Sequence, residues 1–340
     1  MKAVFFETPE EDKKRFEELL ADTDIDAVFS EETLSANTIA LARDAEAVSV
    51  FVNSQVTKDI FNAMPQVKLI STRSVGFDHI DTEYAKSKGI AIASVPAYGT
   101  HTVAEFTFAL LLALSRKILP AYRHLREDES FDITGLTGIN LYQKTIGIVG
   151  TGRIGKSVAT IANGFGMNVL GCDLHPDEAL SAEQKVNYCD MPALFAQSDI
   201  VSLHAPYMKE THHMINKETL ASFKQGALLI NTARGELVDT EALVAALNSG
   251  HIAGAGLDVL EGERYMKEES ALLVNDHEDA METKEGFKTI LESHALLHHP
   301  HVIVTPHMAY FTKEAKDEIL QTTVDNIVSF GKGAPQNVLK

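Results

Sequence analysis

Cysteine, positive charge and long hydrophobic runs are all scarce in this sequence. Only Cys172 and Cys189 occur in 340 residues, which is too few for a disulfide framework and argues against a small secreted scaffold. Lysine and arginine total 30 against 48 aspartates and glutamates, a formal charge of −18. Such a field repels nucleic-acid phosphates and anionic membrane surfaces, so neither is an expected partner. The longest apolar run, Phe106 to Leu114, is bounded by Glu105 and Arg116 and is too short to span a bilayer. The opening Met-Lys-Ala-Val-Phe-Phe reads as a strand, without the apolar core and cleavage site of a signal peptide. The expected compartment is the cytoplasm. No repeat of solenoid period is visible, and residues 1–95 contain no glycine fingerprint.

What is present is ordinary globular composition, 45% hydrophobic and 23% charged, in a chain longer than one core usually serves. Two domains are therefore expected. A small anionic substrate is compatible with the acidic surface, because local arginines and backbone amides govern a pocket.

The most informative stretch runs from Thr145 to Asp173. Ile146, Ile148 and Val149 form a short apolar strand, and Gly150, Gly152 and Gly155 then occupy the three positions of G-x-G-x-x-G before a helix through Gly164. The first glycine permits the tight turn, the second lets a pyrophosphate approach the backbone, and the third lets helix and strand pack closely. A second strand, Met167 to Cys172, ends at Asp173, near the distance expected of a ribose-binding acid. A carboxylate there accepts from both ribose hydroxyls and repels a 2′-phosphate, and Leu174 and His175 supply no arginine to offset it. NAD is the expected cofactor, in preference to NADP.

Ahead of this unit, strands at Ala3–Phe6, Val48–Val52, Leu69–Thr72 and Ile90–Ala93 alternate with helical stretches such as Glu10–Leu20 and Thr33–Arg43. That alternation implies a parallel sheet covered on both faces. The loop Arg73–Asp78 follows a strand's carboxyl end, where open α/β sheets place ligands. A hinge is expected near Tyr98–Gly99, then a long apolar helix Thr102–Ile118 and a polar arm from Glu127 to Gly138. After the fingerprint unit, strands at Ile200–Leu203, Ala227–Asn231, Ala253–Asp258 and Val302–Val304 complete an expected six-stranded sheet, with helices Lys217–Phe223 and Thr240–Leu247 between them. The last helix, Lys313 to Phe330, is expected to return and finish the first domain.

Three polar residues follow strand ends in the second half: Arg234, Glu263 and His307. Singly, each suits a bland role as a strand cap, a solvated acid or one of 14 histidines. With the fingerprint they suggest an active site. The pattern resembles the D-isomer-specific 2-hydroxyacid dehydrogenases along nearly the whole chain. The resemblance rests on Val75–Asp81 (Val-Gly-Phe-Asp-His-Ile-Asp), the fingerprint, Leu228–Glu236, Gly256–Val259 and Thr305–His307. Val95–Tyr98, Leu114–Lys117 and His213–Asn216 are similar to the fermentative D-lactate dehydrogenase branch.

The resemblance implies an α/β fold of two doubly wound parallel-sheet domains, a Rossmann NAD-binding domain (99–305) inserted into a flavodoxin-like substrate domain (1–98 and 306–340). It implies that Arg234 grips the carboxylate and carbonyl of a 2-oxo acid, that His307 is the general acid and base, and that Glu263 pairs with His307. An arginine fork matches a carboxylate bidentately, and a carboxylate beside a histidine favours the imidazolium that must protonate the forming alkoxide. It further implies a carboxylate cradle at the amides of Val75 and Gly76, and a pocket wall at Tyr98. Implied cofactor contacts are Arg153, Ile154, Ala205, Pro206, Thr211, Thr232, Ala233 and Asp258, besides Gly150, Gly152, Gly155 and Asp173.

The expected activity is NAD-dependent reduction of pyruvate or a related 2-oxo acid. The alternatives are a glyoxylate or hydroxypyruvate reductase, a phosphoglycerate dehydrogenase and, from another class, an NAD-sensing corepressor-like binding protein. The apolar helix Thr102–Ile118 implies a homodimer. The acidic stretch from about Arg264 to Lys288 is expected to modify the pocket rim. His294, His298 and His301 lie at helical spacing near His299, but Pro300 interrupts the helix, and no metal is expected.

Overall fold

In a computed structural model of the full chain, residues 1–263 and 284–339 are described, without the side chains of 183, 184 and 284–287. Most of the acidic stretch from Arg264 to Lys288 therefore lies outside the described residues. The chain divides into two compact units, residues 1–98 with 311–340, and residues 99–310.

The first unit holds strands β1 (Lys2–Phe5), β2 (Asp26–Phe29), β3 (Ala47–Val50), β4 (Leu69–Thr72) and β5 (Ala91–Ala93). They pair in parallel in the order β2-β1-β3-β4-β5, the flavodoxin-like arrangement. The edge strand β2 was not among the expected strands. It begins on an aspartate and is only half-buried, so it carries little of the apolar signal that marks an interior strand. The expected helix Thr33–Arg43 is reduced to a 3-10 turn at Ile39–Ala42. There the Thr38 hydroxyl donates to the Thr33 carbonyl at 2.7 Å and accepts the Ser35 N–H at 2.9 Å, a local arrangement that competes with helix. The helix Lys313–Gly331 packs Leu320, Val324 and Ile327 against Phe5, Phe16 and Leu69. Burial of side chains of this size contributes roughly 1.5–3 kcal/mol each. Its Asn326 also donates to the Ser94 carbonyl at 3.0 Å.

The second unit contains β6 (Thr145–Val149), β7 (Asn168–Cys172), β8 (Val186–Tyr188), β9 (Ile200–Leu203), β10 (Ala227–Asn231), β11 (Ile252–Leu257) and β12 (Val302–Val304). All are parallel, in the order β12-β11-β10-β9-β6-β7-β8. The sheet has seven strands where six were expected. The addition, β8, is a three-residue edge strand with an exposed asparagine at its centre, too short to show alternation. The long apolar helix spans Thr100–Ser115 and stops before Ile118, because Lys117 takes a left-handed φ of 54°. A second helix, Ile118–Glu127, follows, and the irregular arm begins after it.

Candidate active site

The glycine turn is built as the spacing required. Gly150 has φ +90°, and a Cβ there would lie 2.6 Å from the Ala205 amide nitrogen. A Cβ on Gly155 would lie 2.1 Å from the Gly150 carbonyl oxygen, so only glycine lets the helix Arg153–Gly164 seat on the end of β6. At Gly152 a Cβ would meet nothing within 4 Å, which leaves the space beside the helix N-terminus open to a diphosphate. Asp173 follows β7, and its Oδ2 accepts the Thr151 N–H at 2.7 Å while Oδ1 accepts the His175 N–H at 2.9 Å. The carboxylate is thus anchored to the glycine turn itself. The residues present fit a dinucleotide.

Other residues expected at the cofactor follow the carboxyl ends of β6, β9 and β10. Arg153 is exposed and Ile154 half-buried at the helix start, Ala205 is buried against Gly150, and Pro206 is exposed. Thr211 closes the loop after β9 by donating to the Pro206 carbonyl at 2.9 Å. The Thr232 hydroxyl bonds Thr107 at 3.0 Å, and the Ala233 N–H is held by Asn231 Oδ1 at 3.0 Å.

Asp258 follows β11. It is 1% exposed, and its carboxylate accepts from Thr305 Oγ1 at 2.5 Å, Met308 N at 3.0 Å and Ala309 N at 2.8 Å. Its carbonyl accepts the His307 N–H at 2.8 Å. Burial lifts this carboxyl above the ordinary range, against the pull of those donors. Its side chain organises the loop that carries His307.

That loop places His307 at φ 53°, a backbone region uncommon for non-glycine residues that the Asp258 bonds sustain. His307 Nδ1 lies 2.9 Å from Glu263 Oε2, and Glu263 Oε1 accepts the Leu260 N–H at 3.1 Å. Among the described residues His307 Nε2 has no protein partner, so the distal nitrogen is available to a ligand.

Arg234 follows β10, and its Nη1 donates to the Ala233 carbonyl at 2.8 Å. The next residue explains how it comes beside the acid loop. A Cβ on Gly235 would fall 2.0 Å from the Leu260 carbonyl carbon, so the glycine lets the two backbones touch. Glu236, which the sequence did not single out as a site residue, is drawn into the same cluster. Burial raises its pKa, with Glu263 and Glu261 adding and Arg234 opposing. The signal for it was its place directly after Arg-Gly at a strand end.

In the first unit, β4 leads into the Arg73–Asp78 loop. Arg73 is 3% exposed and ties the loop to its neighbours through Thr8 Oγ1 at 3.0 Å and the Phe6 and Glu7 carbonyls. The Ser74 hydroxyl donates to the Gly76 carbonyl at 2.6 Å. Among the described residues the amides of Val75 and Gly76 donate to no protein acceptor, and Val75 is 44% exposed. Tyr98 is half-buried at the end of this unit's first segment. Among the described residues the donors close enough to share a cation are those of His212, His213 and Glu261, within 4.8 Å of one another. The rings of His294 and His298 stack at 5.9 Å.

Residues 108–309 match the family model described as D-isomer specific 2-hydroxyacid dehydrogenase, NAD binding domain. The chain is 34% identical to a D-lactate dehydrogenase of Escherichia coli over 98% of both chains. It is 34% identical to an aromatic 2-oxoacid reductase of Clostridium sporogenes over 90% of this chain and 89% of that one. Among solved structures, the D-lactate dehydrogenase of Aquifex aeolicus complexed with NAD and lactic acid is similar with a TM-score of 0.87 and 38% identity, covering 98% of this chain and 96% of that one.

Proposed function

This chain belongs to the D-isomer-specific 2-hydroxyacid dehydrogenases, NAD-dependent oxidoreductases of 2-hydroxy acids, and on that premise we propose that it reduces pyruvate or a related 2-oxo acid to the D-2-hydroxy acid. The observation that carries this reading is the Glu263–His307 pair, bonded through Nδ1 so that Nε2 remains available, in the same unit as Arg234 and the dinucleotide turn. When bound, the nicotinamide supplies the hydride.

Arg234 would hold the substrate carboxylate, since its planar fork matches two oxygens at once. The amides of Val75 and Gly76 offer further donors to an oxyanion. His307 Nε2 would protonate the carbonyl oxygen as it gains charge, and Glu263, bonded to Nδ1, would hold the ring in the orientation that does so. In oxidation the neutral imidazole takes that proton back. Asp173, anchored at the glycine turn, would accept from the ribose hydroxyls and exclude a 2′-phosphate.

The arm after the helix Ile118–Glu127 supports assembly as a homodimer. Its Phe131 and Ile133 are 88% and 79% exposed, an arrangement that favours cover by a second copy. We propose a cytoplasmic location, which two free cysteines favour. Separately, no described helix is long and apolar enough to cross a membrane.

The decisive experiment is NADH oxidation across a panel of 2-oxo acids with chiral analysis of the products. Rapid turnover of pyruvate to D-lactate supports the reading. Preference for phenylpyruvate would move the assignment toward the aromatic reductases, and NADH binding without turnover of any 2-oxo acid would overturn it in favour of a sensor. NADH should outperform NADPH, and Asp173→Ala should narrow the difference. Equal kcat/KM for both cofactors in the unmodified enzyme would remove Asp173 from its role.

A further inference from the structure

Cationic side chains gather at the end of the nucleotide-binding sheet opposite the carboxyl-end loops. A cavity of about 200 Å³ lies where the turn between the helices Thr100–Ser115 and Ile118–Glu127 faces the segment leading into β12. Lys117, Arg123, His298, His299 and His301 line it, with Leu114 and Pro120 among the apolar lining residues. No carboxylate lines it among the described residues. In a chain with 48 acidic residues and 30 lysines and arginines, five basic or protonatable side chains on one cavity form a local inversion of the surface field.

Two details orient these groups toward a ligand. Among the described residues neither Lys117 nor Arg123 has an ion-pair partner, although other lysines such as Lys68, Lys156, Lys224 and Lys316 each contact an acid. The His301 N–H lies 3.2 Å from His299 Nδ1, so that nitrogen accepts and the neutral ring carries its proton on Nε2, where it serves as a donor. The left-handed φ of 54° at Lys117 ends the first helix and turns the chain into the second, which puts Lys117 and Arg123 on the same cavity.

We infer that this cavity is a binding site for a small, multiply charged oxyanion, a phosphate or a polycarboxylate, separate from the catalytic site. The separation is topological. His301 directly precedes β12 and Thr305 directly follows it, so the strand stands between the cavity's histidines and the His307 loop, a span of roughly 10 Å at strand rise. Charge-assisted hydrogen bonds from an ammonium, a guanidinium and imidazoles give such an anion its affinity, and the apolar lining gives it a bounded seat.

The test is calorimetric titration of the full chain with inorganic phosphate and, separately, with citrate, at constant ionic strength set by sodium chloride. The expected result is one anion bound per chain by the preferred probe, with affinity at least about tenfold weaker in the Lys117→Gln/Arg123→Gln variant. The arm that binds more tightly identifies phosphate or polycarboxylate as the class. The charge-conserving Lys117→Arg/Arg123→Lys variant should retain binding, and so should Arg234→Gln, which reports on the catalytic loop. Equal affinities in the unmodified and charge-removed chains, or loss of binding in Arg234→Gln, would overturn the inference. Should the double glutamine variant fail to unfold cooperatively, His299→Gln decides: weaker binding with unchanged thermal unfolding supports the site, and unchanged binding rejects it.

Discussion

Two histidine–glutamate pairs lie within a few residues of each other in the second unit, and they are built for different work. His307 meets Glu263 at 2.9 Å and His213 meets Glu261 at 2.7 Å, and the two imidazoles are 31% and 33% exposed. Neither distance nor exposure separates them. Attachment does. Glu263 takes the proximal Nδ1 of His307 and leaves the distal nitrogen to face a ligand, the arrangement a general acid needs. Glu261 takes the distal Nε2 of His213, whose ring is stacked on His212 at 3.9 Å and whose backbone N–H is fixed to the Glu236 carbonyl at 2.9 Å. That pair closes a loop. A third histidine, His204, shows the opposite limit: half-buried, with Nδ1 enclosed and Nε2 on the Ser202 hydroxyl at 2.8 Å, it has its pKa lowered to about 3 by desolvation of the ring and stays neutral.

The comparison breaks most directly on the reacting histidine. His307→Gln should depress kcat in both directions by roughly 100-fold or more while leaving NADH affinity nearly intact, the signature of a lost general acid. His213→Gln should leave kcat within about threefold of the unmodified enzyme, since its ring nitrogen toward the acid carries no proton-transfer role. Steady-state kinetics on both variants checks this, and comparable losses in the two would erase the distinction.

His204 gives the next largest effect, on stability. A base whose folded pKa lies below its unfolded value binds more protons when unfolded, so stability is full above the unfolded value and falls with pH below it. For His204 the window runs from about pH 6.5 down to about 3, and the slope is about 1.4 kcal/mol per pH unit. Urea unfolding at pH 7, 6 and 5 should show a smaller acid-side loss for His204→Gln than for the unmodified chain. An identical dependence would mean that other groups set it.

The carboxylates sharpen the contrast further. Removing the charge of Glu263 by Glu263→Gln should lower kcat in both directions by roughly tenfold, because the His307 ring loses the acceptor that fixes its orientation. Glu261→Gln should leave both rates in place. Its cost should appear instead as a modest loss of stability, about 1–2 kcal/mol in a chemical melt, from the weakened His213 contact. A loss of rate in Glu261→Gln equal to that in Glu263→Gln would show that the cluster acts as a unit.

Much of this was legible in the residues. The glycine spacing, Asp173 after the second strand of the unit and apolar runs of interior-strand length follow from local rules, because turn geometry and burial on both faces act within a few residues. Edge strands such as Val186–Tyr188 escaped, since half-exposed, three-residue segments leave no period to read. Thr33–Arg43 escaped because one threonine hydroxyl diverted the backbone from helix.

At the site, sequence alone determined the types of residue and their positions at strand ends: Arg234, Glu263, His307 and the fingerprint glycines. Only the tertiary structure decided which histidine nitrogen each glutamate takes. It also bound Asp258 to the His307 loop and drew Glu236 in beside Arg234 through the contact at Gly235. The physical reason is one of range. Turns and strands are fixed by neighbours in the chain, whereas the partner of a polar side chain is fixed by whichever backbone segments packing brings within hydrogen-bond reach, here 44 residues apart for His307 and Glu263.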